Sequence, residues 1–196
     1  MTAPRRFVPP TPAELEAAAG RLLPDVVGPG LRVLFAGINP SLYSAAVGHH
    51  FARPGNRFWP ALHRSGFTPE LLHPSQDGEL PALGLGITNV VARPTTRADE
   101  LAPAEFVAGG AALAAKVAHW RPGCLAVVGV TAYRVAFGRP RAAMGPQPDT
   151  VGGRPVWVLP NPSGLNAHYT VDRLAAVFAE LRRHLAGGQA PTEAPT

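Results

Sequence analysis

Two turns carry the polar groups best placed for chemistry. Gly37-Ile38-Asn39-Pro40 follows one apolar run, and Asn161-Pro162-Ser163-Gly164-Leu165 follows another. In open α/β sheets ligands bind outside the carboxyl ends of the strands, so turns rich in Asn, Pro and Gly at those ends read as two halves of one cleft. Pro40 restricts Asn39 to an extended backbone and so fixes where its amide points. A carboxamide cannot take up a proton at neutral pH. A catalytic Asn39 would therefore orient a water and stabilise charge, which calls for a substrate with a good leaving group. Asp99, beyond the apolar run 85–91, is a carboxylate that could reach the same cleft. There it would activate the water or stabilise positive charge, and its alternative is a surface Asp beside Glu100. Leu165 is apolar on a turn expected at the surface: either a packing contact or a wedge that enters a base stack.

The segment 40–56 is longer than connections in compact folds usually are, which points to function. Its small residues, followed by Phe51, suit a pocket for a flat ring stacked on that aromatic. Ser44, Ala45 and Ala46 would leave room beside the ring. His49 and His50 are adjacent and so point in different directions, with no acidic or Cys residue nearby in sequence, which disfavours a metal. Asn89, at a strand end, could bond substrate, water or its own loop. Ser163 with His168 suggests a serine hydrolase, but the surroundings are not Gly-x-Ser-x-Gly and no acid accompanies them. Gly84-Leu85-Gly86 and Gly152-Gly153 do not form phosphate-cradling patterns. The single cysteine, Cys124, lies in an apolar run and reads as core.

These residues need a frame, and the chain supplies one. Continuous apolar runs at 31–36, 85–91, 125–130 and 156–159 read as buried parallel strands, and helical periodicity fills the gaps at 11–20, 57–66, 103–120, 131–137 and 171–185. The expected fold is α/β: a single-domain, three-layer αβα sandwich around a central, mainly parallel four-stranded sheet. A length of 196 residues with 46% hydrophobic content fits one core spanning 11–186. The ends, 1–10 and 187–196, have little to bury and are expected as tails. No run approaches the roughly 20 apolar residues of a membrane helix, and no signal-peptide core follows the first residues, so a cytoplasmic protein is expected. The net charge of +5 comes with basic residues that are all arginine except Lys116. With a pI near 10.3, this favours a polyanionic partner, although arginine richness also follows from a GC-rich genome.

Taken in order, Gly37-Ile38-Asn39-Pro40, Gly48-His49-His50-Phe51, Pro54-Gly55-Asn56-Arg57-Phe58-Trp59 and Asn161-Pro162-Ser163-Gly164-Leu165 resemble the mismatch-specific uracil/thymine DNA glycosylase family (Mug/TDG). The similarity runs over 31–181 and includes Gly86-Ile87-Thr88-Asn89 and Glu105-Phe106-Val107-Ala108-Gly109-Gly110. The resemblance implies an enzyme that flips uracil, and also thymine or modified pyrimidines, out of duplex DNA opposite guanine and hydrolyses the N-glycosidic bond, in base excision repair. Asn39 would position the attacking water, with Asp99 as a possible helper. Phe51 would stack on the base, and the pocket would be completed by Ile38, Ser44, Asn89 and Asn161. Leu165 would fill the gap in the duplex, with backbone groups of Gly164 and Asn166 facing the widowed guanine. No metal or cofactor is implied, and the partner is double-stranded DNA carrying G:U or G:T mispairs, bound by a monomer. No lysine stands at the catalytic turns, so strand cleavage through a Schiff base is not expected. Ser41 stands where many members have Gly, and Ala167 where some have Arg, with His168 and Tyr169 beside it. A non-catalytic mismatch-binding protein is the alternative, and it would not need Asn39.

Overall fold

The computed structural model describes residues 8–187, so most of the two expected tails, 1–7 and 188–196, lies outside the described residues. Five strands build one sheet: β1 Val33–Gly37, β2 Leu85–Asn89, β3 Cys124–Val128, β4 Gly145–Val151 and β5 Arg154–Leu159. Their order is β2-β1-β3-β5-β4. The four expected strands pair in parallel, and they are mostly apolar because helices cover both faces. Val33 and Phe35 of β1 enter one layer with Phe58, Trp59 and Phe178. Leu34 and Ala36 enter the other with Leu113, Val117 and Tyr133. The alternation along one strand thus feeds two cores, and a fully buried Phe such as Phe35 contributes roughly 1.5–3 kcal/mol by burial alone.

The α/β architecture matches expectation, but the sheet has five strands where four were expected. β4 runs antiparallel to β5 at the sheet edge, with an irregular register between Pro146 and Thr150. Its residues alternate between half-buried and exposed, and Pro146 and Pro148 remove two N–H donors. Proline is tolerated only where one side of a strand faces solvent, so the segment looks like a loop in sequence. The hairpin closes through Gly152 and Gly153, both at positive φ (56° and 76°), as the tightest hairpin turns require.

The helices are α1 Pro12–Ala17, α2 Leu42–Val47, α3 Phe58–Arg64, α4 Pro103–Trp120, α5 Val130–Ala136 and α6 Val171–Gly187. α3 and α6 cover one face, and α4 and α5 the other. α2 was hidden inside the expected loop 40–56, because six residues show no helical period. Its N-cap makes it legible afterwards: Ser41 Oγ accepts from Ser44 N–H at 3.1 Å, and left-handed Gly48 ends it. Before β1, Val26 makes an isolated antiparallel bridge to Ile87. Asp25 accepts from Thr88 Oγ at 2.6 Å and pairs with Lys116 at 2.7 Å. This fastens the entering chain to the outer side of β2. The chain leaves β1 for β2 and then crosses back to β3 on the other side of β1, which opens a crevice beyond the carboxyl end of β1. Among the described residues no helix is long and apolar enough to cross a membrane.

Candidate active site

A narrow cavity of about 100 Å³ occupies that crevice. The turns after β1, β2 and β5 meet there, and Ile38, Asn39, Ser44, Phe51, Asn89, Asn161 and Leu165 all line it. The carboxamide of Asn39 is fixed by its neighbours. Its Nδ2 donates to the Arg93 carbonyl at 2.9 Å and to Thr95 Oγ1 at 2.7 Å. A carbonyl can only accept, so the nitrogen must face Arg93, and Oδ1 remains as the acceptor left over. The loop that supplies these acceptors is laced to the β1 turn by Val91 N–H to Ile38, Thr95 N–H to Pro40 and Leu42 N–H to Thr95.

Asn89 is fixed by a longer chain of reasoning. Buried His50 has Nε2 at 2.8 Å from the Pro24 carbonyl, so Nε2 carries the proton and donates. The other ring nitrogen, Nδ1, is then an acceptor, and it lies 3.4 Å from Asn89 Nδ2. That sets the amide: one Nδ2 hydrogen goes to His50, while Oδ1 and the second hydrogen are left for the cavity. Gly37 makes room for this arrangement. A Cβ there would stand 2.8 Å from Asn89 Oδ1 and 3.2 Å from the Phe51 ring.

Phe51 adopts a left-handed backbone with φ 52°, which costs a non-glycine residue roughly 1–2 kcal/mol. The ring is held against that cost by the core. It stacks on Phe58 at 4.0 Å, and Phe58 meets Phe35 edge-on at 5.5 Å. Ser44 Oγ accepts from Ala52 N–H at 3.1 Å, tying α2 to the same loop. Of the three small residues expected beside the ring, Ser44 lines the cavity, whereas Ala45 and Ala46 do not.

On the opposite wall, Leu165 projects with 67% of its surface exposed. The loop behind it is tightly tied. Asn161 Oδ1 accepts from Ser163 N–H, Asn166 Nδ2 donates to the Asn161 carbonyl, and Asn166 N–H donates to the Ser163 carbonyl. The Arg57 guanidinium donates to three carbonyls of this loop, those of Ser163, Asn166 and Tyr169. Gly164 lies so close to the preceding loop that a Cβ would sit 2.8 Å from the Gly55 carbonyl oxygen.

A profile of the uracil DNA glycosylase superfamily matches residues 24–186 of this chain. The chain belongs to the uracil DNA glycosylase superfamily. Among solved structures it is similar to the solution structure of a candidate uracil DNA glycosylase from Methanosarcina acetivorans, with a TM-score of 0.57 at 20% identity over 85% of this chain and 98% of that one. That likeness is one of fold.

Within this superfamily member, the remaining expected residues are distributed as follows. Asp99 is exposed, pairs with Arg97 at 2.7 Å and does not line the cavity, although its neighbours Arg97 and Ala98 do. Adjacent Arg97 captures the carboxylate that sequence alone would send toward the water. Lys116 is held by Asp25 and Thr88, away from the cavity. His49 and His50 diverge: His49 Nδ1 lies 3.1 Å from Asp77 Oδ1, while the His50 ring turns to Pro24. Among the described residues no three His, Cys, Asp or Glu side chains are grouped as metal ligands. Burial pushes the Cys124 thiol up to about 12, as befits a core residue.

Sequence reading missed Arg57, His50 and Thr95 as parts of the site. Arg57 was in view as a helix start and a motif member without a role, because the carbonyls it binds lie more than a hundred positions away. Arg57→Ala removes the donor from all three. The expected result is a melting temperature lower by roughly 5–10 °C, since about 2–3 kcal/mol of charge-assisted bonding is lost in a domain of this size. Amide exchange across 161–169 should quicken with it. A melting point unchanged within a degree would contradict this role.

Burial lowers the pKa of His50 below its ordinary value, against smaller raising effects from the Pro24 carbonyl, Asp77 and Asp25. The fold therefore prefers neutral His50, while the unfolded chain titrates near pH 6.5. Its contribution is complete above pH ~6.5 and is lost as pH falls through the depressed native value. The melting temperature of wild type should thus fall more steeply below pH ~6.5 than that of His50→Gln, whose side chain offers a donor and an acceptor but does not titrate. Parallel pH profiles would refute the assignment.

Proposed function

We propose that this superfamily member is a monofunctional, mismatch-directed DNA glycosylase of the Mug/TDG type, which flips uracil opposite guanine out of duplex DNA and hydrolyses its N-glycosidic bond. The observation that carries the reading is the pair of orientation-fixed carboxamides. Uracil presents an N3–H donor beside the O4 acceptor. Asn89 offers Oδ1 to that N3–H and its second Nδ2 hydrogen to O4. Cytosine, with an acceptor at N3 and an amino group at C4, would set like against like, and sites built this way discriminate strongly. Thymine shares the uracil edge, and Ser44 is the small residue left beside C5, so the reading extends to thymine and other 5-substituted uracils opposite guanine.

Asn39 Oδ1 accepts a hydrogen bond from the attacking water and aims its lone pair at the sugar. As the C1′–N1 bond breaks, positive character grows on the sugar and negative charge on the departing pyrimidine. The water oxygen bonds to C1′, its proton leaves to solvent, and the base departs as an anion or takes a proton at N1. Fixed dipoles around O4 and O2 stabilise that charge without reorganising. Phe51 stacks on the ring, with Ile38 and Asn161 at its sides. Lys116, the single lysine, is engaged elsewhere, so no lysine is at hand to attack C1′, and the product is an abasic site in an intact strand.

Flipping costs a few kcal/mol and least at a mispair, which gives G:U and G:T an advantage before any contact is made. Leu165 fills the vacated space, with backbone groups of Gly164 and Asn166 facing the widowed guanine. Arg53, exposed at the cavity mouth and in no ion pair among the described residues, faces the phosphates. The test is single-turnover excision from labelled duplexes carrying G·U, A·U or G·T, and from single-stranded U. Release should be fastest from G·U, and Leu165→Ala should slow it roughly tenfold on duplex while sparing single strands. Tight binding to G·U with no base released from any substrate would instead identify a mismatch reader.

A further inference from the structure

The opposite end of the sheet carries a second groove, of about 640 Å³, lined by Arg32, Arg121, Arg154, Arg182 and His184. It lies at the amino ends of β1, β3 and β5, and it shares no residue with the cavity beyond their carboxyl ends. Strands of five residues separate the two by about 15 Å or more. Among the described residues none of the groove's lining side chains is acidic, and none of its four arginines forms an ion pair. Four arginines outside the groove, Arg64, Arg93, Arg97 and Arg139, each meet a carboxylate, so what distinguishes the groove is the gathering of four uncompensated guanidinium groups in one concavity.

The groove arginines are positioned by backbone instead. Arg32 donates to the Leu83 carbonyl at 3.0 Å, Arg182 Nε to that of Ser65 at 2.8 Å, and Arg154 Nε to that of Pro122. These carbonyls lie at or near helix ends, and helix carboxyl termini attract cations. Yet the ends of α3, α4 and α6 supply at most about half a negative charge each, against four full positive ones. An excess of at least about two and a half charges remains in a concave site. Each tethered guanidinium also retains N–H groups beyond the one that anchors it.

We propose that this groove binds the phosphate groups of a nucleotide. Arginine forks match phosphate oxygens, the volume falls in the range of small-molecule sites, and Phe67 and Leu185 supply an apolar wall for the rest of the ligand. The phosphate comes either from a free nucleotide or from a DNA strand separate from the one in the cavity, because a segment engaged beyond the carboxyl ends does not reach the amino ends. The site is independent of the excision chemistry proposed above.

The experiment follows the arginine Nε–H resonances and binding heats on titration of the full-length protein with inorganic pyrophosphate, ADP and an undamaged 12-mer single strand, at about 0.15 M salt. Pyrophosphate and ADP should shift the Arg154 and Arg182 signals, and Arg154→Gln/Arg182→Gln should weaken binding at least tenfold. Arg121→Asn, which removes a charge but no backbone tether and suits the left-handed backbone there (φ 47°), should weaken it several-fold and guards against misfolding of the double variant. The rate of base release from a G·U duplex should be unchanged in all of them. Groove shifts with the 12-mer alone would support the phosphate site and assign its source to DNA. Absence of groove shifts with all three probes, or affinity unaltered by the variants, would overturn the proposal.

Discussion

Asn39→Ala is expected to lower the single-turnover rate of uracil release from G·U duplex by roughly 10³-fold, with duplex affinity changed by no more than about threefold. The asymmetry follows from where the side chain acts. In the proposed mechanism Asn39 Oδ1 meets the attacking water and not the DNA, so its removal would leave the stacked base and the wedge in place. The loop 90–97 should also survive, because Thr95 N–H and Val91 N–H bond the backbone of Pro40 and Ile38 independently of the side chain. Asp99→Asn, run beside it, should stay within a few-fold of wild type, since that carboxylate is turned to Arg97 in solvent. A large loss in Asp99→Asn with a small one in Asn39→Ala would reverse the assignment of the water.

Asn89→Asp should reduce uracil excision comparably, by roughly 10³-fold, through loss of recognition. The substitution keeps shape but replaces the donor aimed at O4 with a negatively charged acceptor. It carries a second signature. The introduced carboxylate would place its charge beside His50 Nδ1, which in wild type accepts from the Asn89 amide. His50 should then bind a proton there, and its titration, followed by NMR, should move upward from the depressed native value. Excision within tenfold of wild type, with His50 still neutral at pH 6, would mean that the Asn89 amide is not oriented through His50.

What the sequence disclosed, and what it concealed, divides along physical lines. β1, β2, β3 and β5 were legible because strands covered on both faces read as near-continuous apolar runs. β4 was not, since an edge strand carrying Pro146 and Pro148 obeys neither rule. Asn39 and Asn161 were legible as strand-end turns beside proline. Leu165 stood out as an apolar residue with nothing to bury against. The part of Asn89 was visible only as a position, for its direction depends on His50 and thereby on Pro24, far earlier in the chain. Arg57 stood in a recognisable motif, but nothing local pointed to the distant carbonyls it binds. Asp99 illustrates the reverse: the loop is the right one, but a neighbouring arginine outcompetes the cleft.

The Pro24 carbonyl has a wider consequence. The segment around it carries few fully buried side chains: Leu22 is exposed, and Leu23, Asp25, Val26 and Val27 are only partly covered. Such segments open locally at a lower free energy than the sheet they rest on. On the proposed function, each opening would let His50 change its protonated nitrogen and leave Asn89 free to rotate toward a cytosine-compatible face. Under that proposal, fidelity and turnover would be set by different parts of the molecule: bond cleavage by the turns around β1, and discrimination against cytosine by how firmly an otherwise ordinary stretch of leading chain stays seated.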